Sequence, residues 1–354
     1  MKNRILKILK SALLVLFVAF CSYYLLSEPA VVSRGIKNAL ATVGGVLLPT
    51  LFPFMALACF IENSGVSSFI GRAFSFPTRL LFRLPGDASA AVIMSLVGGY
   101  PVGARMTSQL FNDGRITKEQ AARMYLFCIN AGPAFVISTV GVSLLGSLRA
   151  GVIMFCSLTL SSLLTGFSAG FLFSKPVIKE KREVRVFEKS VFEAFTKSAS
   201  QATGGFLSVS SYVLVFSAIC EGIRALPLSK NTACFIFSFL EVTNGVMSAA
   251  GSFSLPVITA IIGFGGLCVH FQVMSFVLES GLKLRYFFVA RAVNGALASG
   301  ICRVLLYLFP IELSVFSSTD KMVSAPYSIS LPCFVAFLLM SISLIFDIAP
   351  RKKV

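Results

Sequence analysis

Charged side chains are scarce in this sequence. Asp, Glu, Lys and Arg make up 13% of its 354 residues, whereas about a quarter of the residues in a soluble protein are charged. Hydrophobic residues make up 56%, in long runs that do not alternate with polar residues. About 20 apolar residues let a helix cross a bilayer while satisfying its own backbone hydrogen bonds. The composition excludes a soluble domain and predicts an all-α, polytopic transmembrane helical bundle.

Catalytic and metal-binding patterns are also lacking. His270 is the only histidine, tryptophan is absent, and the nine cysteines include no Cys-x-x-Cys pair. No recognisable nucleophile–base pair and no phosphate-binding loop occur in the sequence. These absences predict a protein that is not an enzyme and that holds no metal and no cofactor.

The charge that is present is mostly positive, with 31 Lys and Arg residues against 15 Asp and Glu residues. In a soluble protein a net charge of +16 would suggest a nucleic-acid partner. Here the basic residues concentrate in short loops and at the termini, as the positive-inside rule describes. We therefore expect a lipid bilayer around the chain, no nucleic acid, and both termini in the cytoplasm. The N-terminal apolar run lacks a clear small-residue cleavage pattern and is predicted to be an uncleaved first span.

The apolar runs predict about eight spans and two re-entrant hairpins. The hairpins are assigned to residues 88–102 and 232–250, which are short and interrupted by glycine, proline or polar residues. Amphipathic segments at 32–42 and 191–201 are expected to lie along the interface, and Pro49 and Pro53 are expected to break or kink the second span. The spans are predicted at residues 11–26, 44–61, 125–145, 151–173, 204–220, 257–278, 287–308 and 331–346.

The two halves of the chain share one layout. In each half an amphipathic segment and a Gly-Gly pair (Gly44-Gly45; Gly204-Gly205) precede a span and then a hairpin. The charge pattern opens one hairpin from the inside and the other from the outside, which predicts inverted repeats of the kind found in secondary transporters. The alternative is a duplicated bundle without transport. The predicted divisions are an N-terminal helix (1–31), a first Gate-like repeat (32–173), a basic cytoplasmic linker (174–190), a second Gate-like repeat (191–310) and a C-terminal helix with a basic tail (311–354).

The two interrupted segments are the best candidates for a site. A broken helix leaves main-chain N–H and C=O groups without intrahelical partners, and inside a membrane these groups must face protein, water or a ligand. The breaks, predicted at Gly98 to Gly103 and at Val242 to Gly245, therefore mark the expected binding place. Half-helix N-termini carry partial positive charge and favour an anionic group.

Several polar residues near these breaks have two interpretations each. Glu241, beside the candidate binding residues Thr243 and Asn244, is either a coupling or solute-binding carboxylate, or else part of a structural ion pair or a residue at the interface, since a charge at membrane depth costs roughly 2.5 kcal/mol or more. Arg105 either binds a carboxylate or extends to the cytoplasmic surface. Asn130 either binds a solute or joins helices. The weaker candidates are His270, Gln272, Arg291 and Asn294.

Three stretches, in this order, resemble one family. They are LLPTLFPFMAL at 47–57, GGYPVGARMTSQLFNDGRITKEQAARMYLFCINAGPAFVISTVG at 98–141 and FLEVTNG at 239–245. Together they resemble the YlbJ family of sporulation integral membrane proteins, within the broader group of nucleoside-recognition, or Gate, membrane domains. The resemblance extends from about residue 32 to residue 308. By position it implies binding roles for Gly99, Pro101, Gly103, Arg105, Asn130, Gly132, Pro133, Glu241 and Asn244.

The resemblance implies a role in endospore formation. It suggests that a small anionic solute, dipicolinate, moves across the membrane around the developing spore, while the domain label alone does not make a nucleoside the solute. We expect the anion to lie near Arg105 and the half-helix ends, with Glu241 coupling a proton or cation. The alternative is a non-transporting membrane scaffold of a sporulation complex.

Overall fold

The computed structural model describes residues 2–172, 190–279 and 286–311. Every regular element within these ranges is helical. Two π-helices, Val43–Leu47 and Ala134–Leu144, and a short 3₁₀ turn, Gly86–Ala88, join the α-helices. The α-helices are α1 (Lys2–Ser27), α2 (Pro29–Thr42), α3 (Leu48–Asn63), α4 (Val66–Ala73), α5 (Ser75–Phe82), α6 (Ser89–Val97), α7 (Tyr100–Asn112), α8 (Lys118–Phe127), α9 (Leu148–Leu172), α10 (Val191–Arg224), α11 (Lys230–Leu240), α12 (Val242–Ala249), α13 (Leu255–Phe264), α14 (Gly266–Glu279) and α15 (Phe287–Leu308).

The described helices are those of a multi-pass membrane protein. Five are long and apolar enough to cross a bilayer: Pro29–Asn63, Leu148–Leu172, Val191–Arg224, Leu255–Leu278 and Phe287–Leu308. A sixth crossing results if Ser75–Phe82 and Gly86–Val97, which bend by 99° against each other, form one span. The predicted span at 331–346, the basic tail and residues 174–189 of the linker lie outside the described residues.

Two long helices replace four of the predicted segments. α2, the first π-helix and α3 form one helix, Pro29–Asn63, and α10 alone covers Val191–Arg224. The prediction of separate interfacial segments at 32–42 and 191–201 is therefore wrong. Pro49 follows the π-helix in the first turn of α3, where a missing N–H is tolerated because the wider π turn already alters the hydrogen-bond ladder.

These two long helices pack against each other in antiparallel directions. A Cβ on Gly35 would come within 2.8 Å of the Ala218 Cα, near one end of the pair. Near the other end, Asn63 Nδ2 donates to Gln201 Oε1 over 3.0 Å. Antiparallel packing of two corresponding helices is what inverted repeats require, and the repeat itself stays a prediction.

Four breaks interrupt the remaining helices. The first hairpin breaks at Gly98 and Gly99, between α6 and α7, and the second at Glu241, between α11 and α12. The expectation that Val242 to Gly245 form the second break is wrong, because the Glu241 side chain caps a helix that begins at Val242. The predicted continuous span at 125–145 is also wrong, since α8 ends at Phe127 and residues 128–133 separate it from the second π-helix. Gly265 separates α13 from α14.

Small residues bring the helices of the core close together. A Cβ on Gly263 of α13 would lie 2.7 Å from the Gly295 Cα of α15. Close approach through glycine is typical of helix contacts in membranes, where dispersion forces and hydrogen bonds hold helices together. Buried hydroxyls complete these contacts, as Ser161 donates to the Asn294 carbonyl over 2.8 Å. The four breaks are thereby held in the interior of the bundle.

Candidate functional site

A cavity of about 70 Å³ lies between the two hairpin breaks. Such a volume holds several water molecules or a small chemical group. Its wall includes Gly98–Pro101 of the first hairpin and Glu241–Thr243 of the second, so both interrupted segments meet at one place. The remainder of its wall comes from five places: the end of α6 (Val97), the segment around the first π-helix and α3 (Leu47, Thr50, Leu51, Phe54), the break after α8 with the second π-helix (Gly132, Ala134, Phe135), α10 (Val209, Val213) and α14 (Val269, Gln272).

The first hairpin presents the start of α7 to this cavity. Gly99 has φ +87° and ψ 177°, a conformation that favours glycine because a side chain would clash with the backbone. Pro101 fills the first turn of α7, where its missing N–H removes no hydrogen bond. No side chain caps this N-terminus. The positive end of the α7 dipole therefore remains available to an electronegative group.

The second hairpin presents a carboxylate instead. Glu241 is 1% exposed, and its Oε1 accepts a hydrogen bond from the Thr243 N–H over 2.9 Å while its Oε2 accepts one from the Asn244 N–H over 2.7 Å. The Asn244 Nδ2 also donates to Oε2 over 2.8 Å. Glu241 is thus an N-cap, and the amides at the start of α12 stabilise its negative charge.

Each hairpin break lies against the break of the helix that follows it in the chain. A Cβ on Gly132 would come within 3.0 Å of the Val97 carbonyl oxygen and 3.1 Å of the Gly99 nitrogen. In the second half, a Cβ on Gly266, which has φ +70°, would lie 3.1 Å from the Glu241 nitrogen. In both places a glycine lets two interrupted helices touch through their backbones.

Buried side chains close the carbonyl end of α13. Among its last four carbonyls, the Ile261 oxygen accepts from the Gly265 N–H over 2.9 Å, and the Ile262 oxygen accepts from the Tyr100 hydroxyl over 2.6 Å. Arg291 donates to the remaining two, those of Gly263 and Phe264. The last four carbonyl groups of α13 therefore accept hydrogen bonds from protein groups and do not depend on a solute for a donor.

The carbonyl end of α8 is closed in the same way. Asn130 Nδ2 donates to the Phe127 oxygen over 2.9 Å, and the Ser162 hydroxyl donates to the same oxygen over 2.6 Å. Arg291 also donates to the Ile129 oxygen. Asn130 therefore caps a helix end in this structure and does not line the cavity.

Half of the ten predicted binding residues line the cavity. They are Gly99, Pro101, Gly132, Glu241 and Thr243. The other five lie outside the lining, each in a packing or capping position: Gly103, Arg105, Asn130, Pro133 and Asn244. Gly103 lets α7 approach the end of α8, because a Cβ there would meet the Cys128 carbonyl oxygen at 1.8 Å. Pro133 is the N-cap of the second π-helix, and Asn244 supports the Glu241 carboxylate.

Arg105 is directed away from the cavity. Its Nη1 donates to the Gln201 carbonyl oxygen of α10 over 2.8 Å. The side chain thereby ties the first hairpin to the long helix of the other half, beside Gly205, whose built Cβ would lie 3.3 Å from the guanidinium. The sequence did not signal this contact, because Arg105 and Gln201 are far apart in the chain.

Several residues that line the cavity were not among the predicted binding residues. Tyr100 lies in the break itself, and its aromatic ring was treated only as part of the motif. Thr50, whose hydroxyl donates to the Val46 carbonyl over 2.6 Å, gave a detectable signal as a polar residue between Pro49 and Pro53. Gln272, a weaker candidate, does line the cavity. The leucines and valines of the cavity wall resemble those of any apolar helix, so the sequence could not identify them as lining residues.

The charge of the cavity follows from its lining. Glu241 is its only carboxylate, and none of the lining residues is Lys, Arg or His. Among the described residues, no group of three or more potential metal ligands occurs. An ionised Glu241 therefore leaves the cavity with one negative charge, opposed by the two helix N-termini.

Known proteins resemble this chain in a consistent way. The Gate family, described as nucleoside recognition, matches residues 45–214, which include the first hairpin and end within α10. The "Sporulation integral membrane protein YlbJ" of Bacillus subtilis is 22% identical over 336 residues, covering 82% of this chain and 81% of that protein. An uncharacterised protein of Alkalihalophilus pseudofirmus is 34% identical over 101 residues, covering 28% of this chain and 20% of that protein. No solved structure matches the chain. The resemblance predicted from the sequence is therefore confirmed: the chain is similar to the Gate nucleoside-recognition family over residues 45–214 and, along most of its length, to the YlbJ sporulation integral membrane protein.

Proposed function

We propose that this chain binds a small anionic solute between its two hairpin breaks and moves it across the membrane. The observation that carries the proposal is the meeting of Gly98–Pro101 and Glu241–Thr243 at one cavity. Interrupted helices from two halves of a membrane protein, converging on a cavity, are the plan of secondary transporters. The proposal involves binding and movement only, without a covalent step.

The uncapped start of α7 is the place for the anionic group. The α12 N-terminus is already occupied by the Glu241 carboxylate, whereas no side chain caps α7. Helix N-termini bind anions because their N–H groups and the helix dipole point at the ligand. Tyr100 and Pro101 form the wall beside this end of the cavity.

Glu241 links the binding of an anion to a proton. Two like charges about 4 Å apart repel by about 4 kcal/mol at an effective dielectric constant of about 20. An anion at the start of α7 is therefore repelled by an ionised Glu241, and a proton or cation that moves with the anion offsets this repulsion. We expect the Glu241→Gln variant, which lacks the charge, to bind the anion more tightly than the wild type.

Purified protein in liposomes tests this proposal. Uptake of dipicolinate and of simpler mono- and dicarboxylates is measured with an imposed pH gradient, in the wild type and in Glu241→Gln. We expect the Glu241→Gln variant to bind the anion but to lose uptake driven by the imposed gradient. The matched control is Glu193→Gln, which makes the same change in the exposed first turn of α10 and should behave as the wild type.

The similarity to the Bacillus subtilis sporulation protein supports a proposed role in endospore formation. We propose that the solute is moved across the membrane around the developing spore, with dipicolinate as the first anion to test. A strain that lacks the chain should produce spores with less dipicolinate, and Glu241→Gln should not restore the content. Normal content with Glu241→Gln, together with no movement of any anion in liposomes, would instead support a scaffold. Arg105→Ala does not discriminate, because that side chain contacts α10.

A further inference from the structure

Arg291 of α15 carries a guanidinium that is buried in the bundle. The residue is 1% exposed, and among the described residues it takes part in no ion pair with a carboxylate. A charge buried in a membrane protein destabilises the fold unless it is compensated. Some other group must therefore supply the compensating negative potential.

Main-chain carbonyls supply that potential. Arg291 donates from Nη1 to the Ile129 oxygen, from Nη2 to the Gly263 oxygen and from Nε to the Phe264 oxygen, the last over 3.3 Å. The face of the Tyr100 ring adds a cation–π contact, with the ring centroid 5.8 Å from the guanidinium carbon. Three carbonyl oxygens from two separate chain segments thus surround one positive charge.

These carbonyls belong to the ends of interrupted helices. Gly263 and Phe264 are the last residues of α13, and Ile129 lies just beyond α8. Helix C-termini carry partial negative charge, and in membrane proteins the unwound carbonyls at such ends are where small cations bind. Gly265, at φ +88°, forms the break between α13 and α14, and a Cβ there would be in ordinary contact with Arg291 Nη2, at 3.6 Å.

We propose that this is a cation-binding site which the chain fills with its own tethered cation. The Arg291 guanidinium lies among the three carbonyl oxygens, where an exchangeable monovalent cation would otherwise bind. Through its hydrogen bond to Ile129 it also connects the first half of the chain to α13 and α15. Arginine suits this role because its planar fork reaches three acceptors at once, which a lysine ammonium does not match geometrically. Removing the side chain should therefore uncover a site for a free monovalent cation, with guanidinium the best fit.

The site goes beyond the proposed solute transport and does not depend on it. Its test measures the thermal stability of the purified full-length chain in detergent, without solute. We expect Arg291→Ala to melt below the wild type and to regain part of the lost melting temperature as millimolar guanidinium chloride is added, in a saturating way. Sodium and potassium chloride are tested in the same manner, and urea at equal concentration should give no gain. Arg303→Ala, an exposed position on the same helix, should gain nothing from guanidinium.

A second pair of variants covers the case in which Arg291→Ala does not fold. Arg291→Lys keeps the positive charge and Arg291→Met keeps much of the length without charge. We expect the lysine variant to be clearly more stable than the methionine variant. The proposal is overturned if methionine equals lysine, if Arg291→Ala is as stable as the wild type without added cation, or if no cation raises its melting temperature. Failure of anion uptake in liposomes leaves these outcomes unchanged, so the two proposals are tested separately.

Discussion

Gly103 gives the sharpest prediction from this structure, because its role differs from the binding role that the sequence suggested. An alanine Cβ at this position would lie 1.8 Å from the Cys128 carbonyl oxygen and 2.7 Å from the Ser95 Cβ, whereas an ordinary contact is 3.4–4 Å. The obstacle is main chain at the end of α8, so no side-chain rotation relieves it. α7 and the α8 end must move apart by well over an ångström.

We expect Gly103→Ala to lower the free energy of unfolding by about 3 kcal/mol or more, the upper part of the range for overpacked cores. Thermal unfolding of the purified protein in detergent measures the effect. Gly204→Ala is the matched control, because Gly204 is an exposed position of α10 and a Cβ there would have no other atom within 4 Å. This substitution should be neutral or stabilising by about 0.5–1 kcal/mol. If Gly103→Ala proves as stable as Gly204→Ala, the assignment of Gly103 to packing is wrong.

Three further substitutions test single contacts by the same unfolding measurement. Tyr100→Phe leaves a buried α13 carbonyl without its 2.6 Å donor and should cost about 1–3 kcal/mol, whereas Tyr307→Phe, 85% exposed, should cost nothing measurable. Thr117→Ala removes the hydroxyl that accepts from the Gln120 N–H in the capping box at the start of α8 and should cost about 0.5–2 kcal/mol; no loss would mean that this hydroxyl does not cap the helix. Arg115→Ala leaves the Glu62 carboxylate, 4% exposed and 3.6 Å away, without its cation, and should cost about 3–5 kcal/mol. An unchanged melting temperature in that variant would show that Glu62 is satisfied by other groups.

The sequence predicted one helix interruption at its place, the one at Gly-Gly-Tyr-Pro, residues 98–101. Asn-Ala-Gly-Pro at 130–133 also marks an interruption in the structure, although a continuous span was predicted there. Proline and glycine act locally, since one removes a donor and the other admits backbone angles that side chains forbid. Pro49 and Pro53 nevertheless lie within one long helix, Pro49 in the first turn after a π-helix and Pro53 inside α3.

The sequence alone determined the class of protein, since apolar composition and run length are sums over local residues. It also located the buried carboxylate at Glu241 and the glycines of the first hairpin. Only the tertiary structure decided what two of the arginines do: Arg105 ties α7 to α10, and Arg291 joins the Ile129 carbonyl to those at the end of α13. These contacts connect residues up to 162 positions apart, and no local period or spacing encodes them. Side-chain partners at that separation are fixed only when the helices pack, because several chain segments must supply one set of donors and acceptors.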